Sequence, residues 1–300
     1  MKMRCDSVMR SLMFVPAHNE RLLEKAMKSN ADVLLLDIED SVQPIFNKQK
    51  ARDSVVRCVN KSEFGGLVFP RINDRESGEL LKDLSQLTIP GVDGFMYPKS
   101  YSGQDIYFID KLLETIEYEK KMPHGVFKLI PLIETSAAVL NAQEICQASE
   151  RVVAIAFGCE DFITDLQGIH DVEGNSLFIP RAIIALAARA NGVIPVDTVH
   201  INVHDLEDLE KNLILSKKLG FEGMLVLNPK ELPLVHSYFS PSSQEISDAY
   251  EMLQLADEAQ KEGKGVAMKN GKFIGPPMIA TAKKMIEKEN NIKSRERLKK

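Results

Sequence analysis

The stretch FKLIPLIETSAAV, from Phe127 to Val139, joins two different patterns at Glu134. Up to Ile133 it is an almost continuous apolar run, and after Glu134 it continues with small residues of helical character. A strand that is apolar on both faces is typical of a parallel sheet covered by helices. A carboxylate at the end of such a strand is costly to bury unless something pairs with it. The stretch therefore predicts a strand, a functional acid and a helix, in that order.

The same unit recurs along the chain, as a short apolar run that ends on a polar residue and is followed by a segment of helical period. Eight such runs occur: SLMFVP (11–16), DVLLLDIED (32–40), GLVFPRIN (66–73), GFMYPK (94–99), KLIPLIET (128–135), VVAIAFGCED (152–161), DTVHINV (197–203) and GMLVLNP (223–229). Strands that alternate with helices predict an α/β fold with a parallel sheet. Eight of them predict a (β/α)₈ TIM barrel rather than an open doubly wound sheet, because the turn VPAHNER after the first run lacks phosphate-binding glycines.

The residues after the eighth run exceed what a barrel needs. An amphipathic segment (243–262) precedes a hairpin with Asn270–Gly271 at its turn, and a final helix is expected at about 277–289. We therefore expect three parts: a barrel domain over 10–239, a C-terminal arm of helix, hairpin and helix over 240–289, and a basic tail over 290–300 that frays. The arm is expected to pack on the barrel or on a neighbouring subunit.

Composition and charge exclude several classes of protein. The chain has 300 residues, of which 44% are hydrophobic and 27% charged, a profile typical of a soluble globular protein. Its net charge of −5 argues against nucleic acid as the main partner. No apolar run is long enough to span a membrane, and the N-terminus lacks the apolar core of a signal peptide. The four cysteines show no paired spacing, which predicts free thiols in a reducing cytoplasm.

Polar side chains collect at the ends of the runs, where barrel enzymes place their chemistry. In chain order they are His18, Asp37, Glu39, Asp40, Arg71, Lys99, Glu134, Glu160, Asp161, His200, His204 and Asn228. If runs five and six stay extended to their ends, strand alternation points Glu134 and Asp161 inward from adjacent strands at the same height. Two carboxylates so placed suit Mg²⁺, which keeps open positions for water or substrate. The alternative is that each acid caps the helix that follows it.

The basic rim residues each allow two interpretations. Arg71, in PRIN, can bind a substrate carboxylate or carbonyl oxygen with two hydrogen bonds, or form a salt bridge to Asp37 or Glu39. Both can hold together, with the two acids orienting the arginine or a metal-bound water. Lys48 and Arg52 begin the helix after the second run and form a basic patch that can meet phosphates, although pattern alone favours a solvated helix face.

The histidines are also open to more than one interpretation. His18 follows the first run at the rim, where it can contact substrate, although a surface histidine fits the pattern equally well. His200 and His204 are spaced by four residues, which on a helix would suit a zinc site. Here the run has strand character, so a zinc site is disfavoured.

Seven motifs occur in the order LDIEDSV, PRIN, YPKS, PLIETSAAVLNAQEI, FGCEDF, DTVHINVHD and FSPSSQEI. Together they resemble the citrate lyase β-subunit-like family, in the HpcH/HpaI aldolase/citrate lyase superfamily, which also contains malyl-CoA and citramalyl-CoA lyases. The resemblance covers about residues 10–288. It implies a (β/α)₈ barrel, usually a homotrimer, that makes or breaks a carbon–carbon bond by Claisen chemistry. The substrates implied are 3-hydroxyacyl-CoA thioesters such as citramalyl-, malyl- or citryl-CoA, which yield an acyl-CoA and a 2-oxo acid.

The resemblance also implies roles for individual residues. Glu134 and Asp161 would bind Mg²⁺, with Mn²⁺ as an alternative, and Arg71 would stabilise the oxygen where charge gathers. Lys48 and Arg52 match basic positions near the phosphates of CoA. A metal-dependent aldolase acting on a free oxo acid, and a ligand-binding accessory protein with weak turnover, remain as alternatives.

The sequence departs from the family pattern in four places. His18 stands in a loop that usually reads Pro-Gly-Asn, and Asn228 stands where the eighth strand usually ends in histidine. His200 and His204 replace a tyrosine and an arginine. Gly275, in IGPP, occupies the place of an aspartate that handles the proton at the acyl-CoA α-carbon, and a glycine has no side chain for this task. These departures predict an altered substrate or altered chemistry rather than simple loss of function.

Overall fold

The computed structural model describes residues 7–61, 64–169, 174–261, 267–269 and 272–298. The chain divides into two compact units, with the boundary between Val235 and His236. The first unit contains a closed barrel of eight parallel strands in sequential order, which confirms the predicted (β/α)₈ fold. Its strands are β1 Ser11–Pro16, β2 Val33–Asp37, β3 Leu67–Arg71, β4 Gly94–Tyr97, β5 Lys128–Ile133, β6 Ala154–Phe157, β7 Ile194–Asp197 and β8 Gly223–Val226.

Helices follow the strands of the barrel. They are α1 Glu20–Ala26, α2 Asn47–Lys61, α3 Leu80–Leu87, α4 Gly103–Glu119, α5 Ser136–Leu140, α6 Ala142–Gln147, α7 Cys159–Leu166, α8 Asn175–Asn191, α9 Leu206–Leu219, a 3₁₀ turn Pro229–Glu231 and α10 Leu232–Phe239. The second unit continues with α11 Ser243–Lys261, β9 Ala267–Lys269, β10 Lys272–Ile274 and α12 Pro276–Leu298. None of the helices in the described ranges combines the length and apolar composition that a membrane crossing requires.

The inside of the barrel is filled by side chains from alternate strand positions. Leu35 of β2, Phe69 of β3, and Ile130 and Leu132 of β5 belong to this buried cluster. The residues between them are also buried, as Leu34 shows at 0% exposure, because they face the surrounding helices. A filled barrel leaves no polar interior, so the chemistry is confined to the rim at the strand ends.

The predicted strand ends were wrong for runs six and seven. β6 stops at Phe157, and Cys159 already begins α7, so the acids of FGCED lie in a helix rather than at a strand end. Acidic residues in a first turn are favoured by the helix dipole. β7 covers 194–197 and ends at Asp197, whose carboxylate accepts a bond from the Thr198 N–H. His200 and His204 therefore follow the strand instead of lying in it.

The second unit contains the expected helix, hairpin and helix. β9 and β10 pair antiparallel, with Phe273 opposite Met268, while the Asn270–Gly271 turn lies outside the described residues. α12 reaches Leu298, so the helix is longer than predicted and the expected fraying is wrong for residues 290–298. Ile292 is 4% exposed, and this buried apolar contact extends the helix beyond the predicted end.

Candidate active site

The rim between β2 and β3 is organised around Arg71. Strand register places Asp37 directly opposite Arg71. Arg71 Nε and Nη2 each donate a 2.7 Å bond to the Asp37 carboxylate, one to each oxygen. Arg71 Nη1 lies 3.1 Å from Glu39 Oε2, and the guanidinium lies 4.8 Å from the centre of the Phe14 ring. Burial would raise the pKa of Asp37, but the charge and hydrogen bonds of Arg71 hold it below its ordinary value. The acids therefore fix the plane of the guanidinium, as a bidentate pair does.

Negative charge exceeds positive charge along the next part of the rim. Burial, together with the neighbouring carboxylates of Asp40 and Asp37, raises the pKa of Glu39 to about 7, although Arg71 opposes the shift. Lys99 follows β4, and its Nζ lies 2.7 Å from Asp74 Oδ2 but 3.7 Å from Glu39 Oε1. Its hydrogen bond to Asp74 raises the pKa of Lys99 above the ordinary value. Glu39 is thus a buried acid without a full charge partner.

Glu134 lies directly after β5 and is 3% exposed. Its Oε1 accepts a 2.6 Å bond from the backbone N–H of Lys99. Lys99 has a φ of 49°, a left-handed conformation that is uncommon for a lysine. Burial is the largest cause that raises the pKa of Glu134 to about 8, and the charges of Asp161 and Glu39 add to it. An acid in this state favours either a proton or a cation beside it.

Gly158 allows the backbone after β6 to approach Glu134 closely. A Cβ at this position would lie 2.9 Å from Glu134 Cβ and 3.1 Å from its Oε2, which is too close for any other residue. Asp161 lies in the first turn of α7, close enough for its charge to act on Glu134. The prediction that the two acids lie at equal height on adjacent strands was therefore wrong. Thr135, not Glu134, caps α5, by accepting a bond from the Ala138 N–H.

These carboxylates fit a Mg²⁺ ion. In the part of the chain that the structure describes, no group of three or more His, Cys, Asp and Glu side chains is placed to hold a metal. Mg²⁺ commonly takes only one or two carboxylates and completes its shell with water and substrate oxygens. Glu134 and Asp161 offer that set, because burial and the charge of Asp161 both disfavour the ionised form of Glu134, which a cation beside it would favour. The assignment of these two residues as metal ligands stays a prediction.

The histidines at the rim lie in different environments. His18, half-buried after β1, has a buried Nδ1 with no hydrogen-bond partner among the described protein atoms. His200 is 5% exposed, with Nε2 2.9 Å from Asp208 Oδ2 and Nδ1 3.8 Å from Glu231 Oε1. His204 is exposed. Both histidines thus have a buried Nδ1 without a hydrogen-bond partner among the described atoms, and they differ in that Nε2 of His200 is already engaged by Asp208.

Lys48 and Arg52 are not part of a solvated helix face, so that alternative was wrong. Lys48 is 5% exposed, and its Nζ donates to the backbone carbonyls of the two residues that follow β2, at 2.9 and 2.7 Å. Arg52 is 2% exposed and donates from Nη1 to Glu79 and Asp83, each at 2.8 Å. The contact of both residues with CoA stays a prediction.

Sequence reasoning missed two features that shape the site. Gly158 carried a signal, because a glycine between a strand and a helix often marks a close backbone approach. The backbone role of Lys99 carried none, since lysine does not indicate a left-handed conformation.

The chain is similar to known proteins over most of its length. The model of the HpcH/HpaI aldolase/citrate lyase family matches residues 10–229. The citrate lyase subunit beta of Haemophilus influenzae is 33% identical over 280 residues, which cover 93% of this chain and 96% of that protein. The L-malyl-CoA/beta-methylmalyl-CoA lyase of Rhodobacter capsulatus is 28% identical over 298 residues, covering 92% of this chain and 93% of that protein.

A solved structure extends the comparison to a bound state. Protein CitE from Mycobacterium tuberculosis, in complex with magnesium, acetoacetate and coenzyme A, has a TM-score of 0.74 to this chain. It is 25% identical, and the match covers 95% of this chain and 100% of that one.

Proposed function

This chain belongs to the HpcH/HpaI aldolase/citrate lyase family, and from that premise we propose that it is a Mg²⁺-dependent carbon–carbon lyase. Its proposed substrate is a 3-hydroxyacyl-CoA thioester such as citramalyl-, malyl- or citryl-CoA, and its products are an acyl-CoA and a 2-oxo acid. One observation carries the proposal: buried Glu134, the nearby Asp161 and the oriented guanidinium of Arg71 all lie at the C-terminal rim of one barrel. In this fold, that rim is where catalysis takes place.

Glu134 and Asp161 would hold the Mg²⁺ ion. When bound, the ion would supply a Lewis acid for the oxygens of the 2-oxo acid fragment. Lys99 supports this arrangement, because its N–H holds Glu134 Oε1 at 2.6 Å and so fixes the direction of the carboxylate. Gly158 contributes by leaving room beside Glu134 Oε2.

Arg71 would bind the substrate oxygen at which negative charge develops. Asp37 occupies the Nε and Nη2 edge of the guanidinium, and Glu39 lies beside Nη1. These contacts fix the group before substrate arrives, so little reorganisation is needed during the reaction. Lysine would not reproduce this planar arrangement.

The reaction requires two proton movements that the chain must support. The bond between the thioester α-carbon and the carbinol carbon breaks, and its electron pair remains on the α-carbon as an enolate. The hydroxyl loses its proton as the carbinol carbon becomes the carbonyl of the 2-oxo acid, and the α-carbon takes up a proton. Gly275 cannot donate it. We assign this role to His18, whose ring has no hydrogen bond to Nδ1 among the described atoms, rather than to His200, which shares that feature but whose Nε2 is held by Asp208.

The experiment is a turnover assay of purified protein with Mg²⁺ against malyl-, citramalyl- and citryl-CoA and the matching free acids. We expect thioester cleavage that His18→Ala lowers and Gly275→Asp raises. Brisk cleavage by the wild type that His18→Ala leaves unchanged would exclude the role of His18. Absence of thioester cleavage, with Mg²⁺ supplied, would contradict the proposed activity.

A second candidate is a metal-dependent aldolase that acts on a free oxo acid. The observation that favours it is the engagement of Lys48 and Arg52, whose charged groups already bind other parts of the protein. Cleavage of free acids, but not thioesters, would support this candidate. Binding of Mg²⁺ and an oxo acid without turnover would instead indicate a ligand-binding accessory protein. We also expect a homo-oligomer, with a trimer as the specific prediction, which light scattering can measure.

A further inference from the structure

α2 presents two buried cations on one face, beneath the rim that carries Arg71 and Glu39. Lys48 and Arg52 are four residues apart, a spacing that aligns side chains on the same side of a helix. We propose that these two residues are positioning residues, which hold the loops after β2 and β3 and thereby fix Glu39 and Arg71, and that neither contacts the ligand. The kinetic part of its test rests on the proposed function, whereas the structural part does not.

Lys48 holds the loop after β2 by its backbone. Its Nζ donates to Ile38 O at 2.9 Å and to Glu39 O at 2.7 Å. Charged donors form the stronger hydrogen bonds, and removal of this one would leave two buried carbonyls without it. The Glu39 side chain reaches Arg71 Nη1 from this same backbone, so the position of that carboxylate depends on Lys48.

Arg52 holds the loop after β3 through the carboxylate of Asp83. Its Nη1 lies 2.8 Å from Asp83 Oδ1, and Asp83 Oδ2 accepts both the N–H of Asn73, at 2.8 Å, and its Nδ2, at 2.7 Å. Asn73 is two residues beyond Arg71, and its Nδ2 also lies 3.2 Å from Ile38 O. The contacts form a closed circuit. Lys48 and Asn73 both donate to Ile38 O, and Lys48 and Arg52 lie one turn apart on α2.

The charged groups of Lys48 and Arg52 are already engaged by protein acceptors. Arg52 Nη1 faces the carboxylates of Glu79 and Asp83, and its Nε and Nη2 donate to Gln49 Oε1 at 3.2 and 3.1 Å. Lys48 points inward to the backbone. A phosphate would have to displace these bonds in order to bind either cation. The geometry therefore favours a support role over a ligand contact.

Such a support affects catalysis by fixing the distance between a reacting group and the substrate. Displacement of a reacting group by about 1 Å can lower a rate by about a hundredfold. Glu39 and Arg71 are joined at 3.1 Å, so movement of the loop after β2 changes the environment of the guanidinium without changing its chemistry. Loss of the support should thus lower kcat and leave ligand affinity unchanged.

The test compares Lys48→Met with Lys50→Met, which makes the same chemical change at an exposed position of the same helix. The measurements are kcat and KM for citramalyl-CoA, and the affinity for CoA by calorimetry. We expect Lys48→Met to lower kcat by about tenfold or more, with KM and CoA affinity unchanged, and Lys50→Met to change neither. Weaker CoA binding in Lys48→Met with kcat unchanged would show a ligand contact and overturn the proposal.

Amide hydrogen exchange provides a readout that does not depend on turnover. Peptides covering 38–42 and 72–74 should exchange faster in Lys48→Met than in wild type or Lys50→Met. If the wild type cleaves no thioester, the proposed function fails, and equal exchange in all three proteins would separately overturn the support role. Faster exchange with kcat and KM unchanged in an active enzyme would also overturn it. Should Lys48→Met fail to fold, Asp83→Asn weakens the same circuit and gives the same two readouts.

Discussion

At the N-terminal end of the barrel Arg10 and Arg151 each donate to both oxygens of a buried acid, whereas at the C-terminal end the buried acids Glu39 and Glu134 have no such partner. Arg10 binds both oxygens of Asp32, at 2.8 and 3.1 Å, where β1 and β2 begin. Arg151, before β6, binds both oxygens of Glu117, at 2.7 and 2.6 Å, and also Asp110. Such contacts hold the buried acids at the bottom of the barrel against a guanidinium.

The C-terminal rim also contains compensated acids, such as Asp37 beside Arg71 and Asp197 beside Arg181, but it holds in addition buried acids without a full partner. Arg71 compensates Asp37, but burial raises the pKa of Glu39 to about 7 and that of Glu134 to about 8. At the other end, burial would also raise the pKa of Glu117, but the bonds from Arg151 and from the backbone hold it below its ordinary value. Buried acids are therefore common to both ends of the barrel, and it is the acids without a full partner, Glu39 and Glu134, that indicate a functional site.

The largest effect on stability is expected at the N-terminal end of the barrel. Arg151→Met removes the guanidinium from Glu117 and Asp110, and loss of one partner from a buried ion pair costs about 3–5 kcal/mol. Denaturant unfolding should show this loss, while kcat well below the melting temperature stays unchanged. The control is Arg57→Met, at a pair whose side chains are 50% and 60% exposed, which should change stability by less than about 1 kcal/mol. Similar losses in both variants would contradict the distinction between buried and exposed pairs.

The next effect concerns metal binding at the C-terminal rim. Asp161→Ala should weaken Mg²⁺ or Mn²⁺ binding, measured by calorimetry, by about a hundredfold or more. Loss of a direct ligand should cost more than the tenfold to hundredfold that follows when a residue that only orients a ligand is changed. The fold should survive, since the variant relieves repulsion against Glu134. Glu160→Ala removes the same charge one residue earlier in α7 and serves as control. Equal affinity in Asp161→Ala and wild type would exclude Asp161 as a ligand.

A smaller loss of activity is expected when Arg71, which pairs with Asp37 at the C-terminal rim, is changed. Arg71→Lys keeps the charge but not the planar donor set, so kcat should fall by about tenfold to a hundredfold, with Mg²⁺ affinity and melting temperature nearly unchanged. Steady-state kinetics and calorimetry on the same preparations measure both. Unchanged kinetics would assign Arg71 a structural role like that of Arg151.

The sequence was sufficient to predict the barrel because its strands are apolar on both faces, which only a covered parallel sheet requires. It also identified Glu134 and Arg71, since a charged residue at the end of such a strand is conspicuous. The sequence-based prediction misplaced Asp161. FGCED can continue a strand or turn into a helix, and the helix brings Gly158 against Glu134, a residue distant in sequence that pattern alone does not pair with it.

The partners of the rim residues could not be predicted for the same reason. Lys48 begins an amphipathic helix, and pattern alone does not distinguish a cation that faces solvent from one that bonds to backbone carbonyls. The bond from the Lys99 N–H to Glu134 depends on a single φ angle, which no residue type there indicates. Contacts made by backbone atoms leave no trace in the identity of the side chain.

The smallest effect gives the sharpest comparison, because the same substitution should act in opposite directions at the two ends. At pH 7 and without metal, Glu117→Gln should lower the unfolding free energy by about 1–2 kcal/mol, since a charged hydrogen-bond partner of Arg151 is lost. Glu134→Gln keeps an acceptor for the Lys99 N–H. It also removes the cost of burying a carboxyl group that must take up a proton on folding at pH 7, because its folded pKa is about 8, so it should leave stability unchanged or raise it.

Dependence on pH separates this explanation from a general loss of packing. The pKa of Glu117 is lower in the folded protein than its ordinary value of 4.5, so its contribution to stability is present above about pH 4.5 and is lost as pH falls through the folded pKa. The difference between wild type and Glu117→Gln should therefore shrink below pH 4.5, as measured by denaturant unfolding across pH 3–7. Added Mg²⁺ should stabilise the wild type and Glu117→Gln but not Glu134→Gln, because only a ligand that binds the native state shifts unfolding. Equal destabilisation by both glutamine variants, at every pH, would show that the two ends of the barrel do not differ in how they balance buried charge.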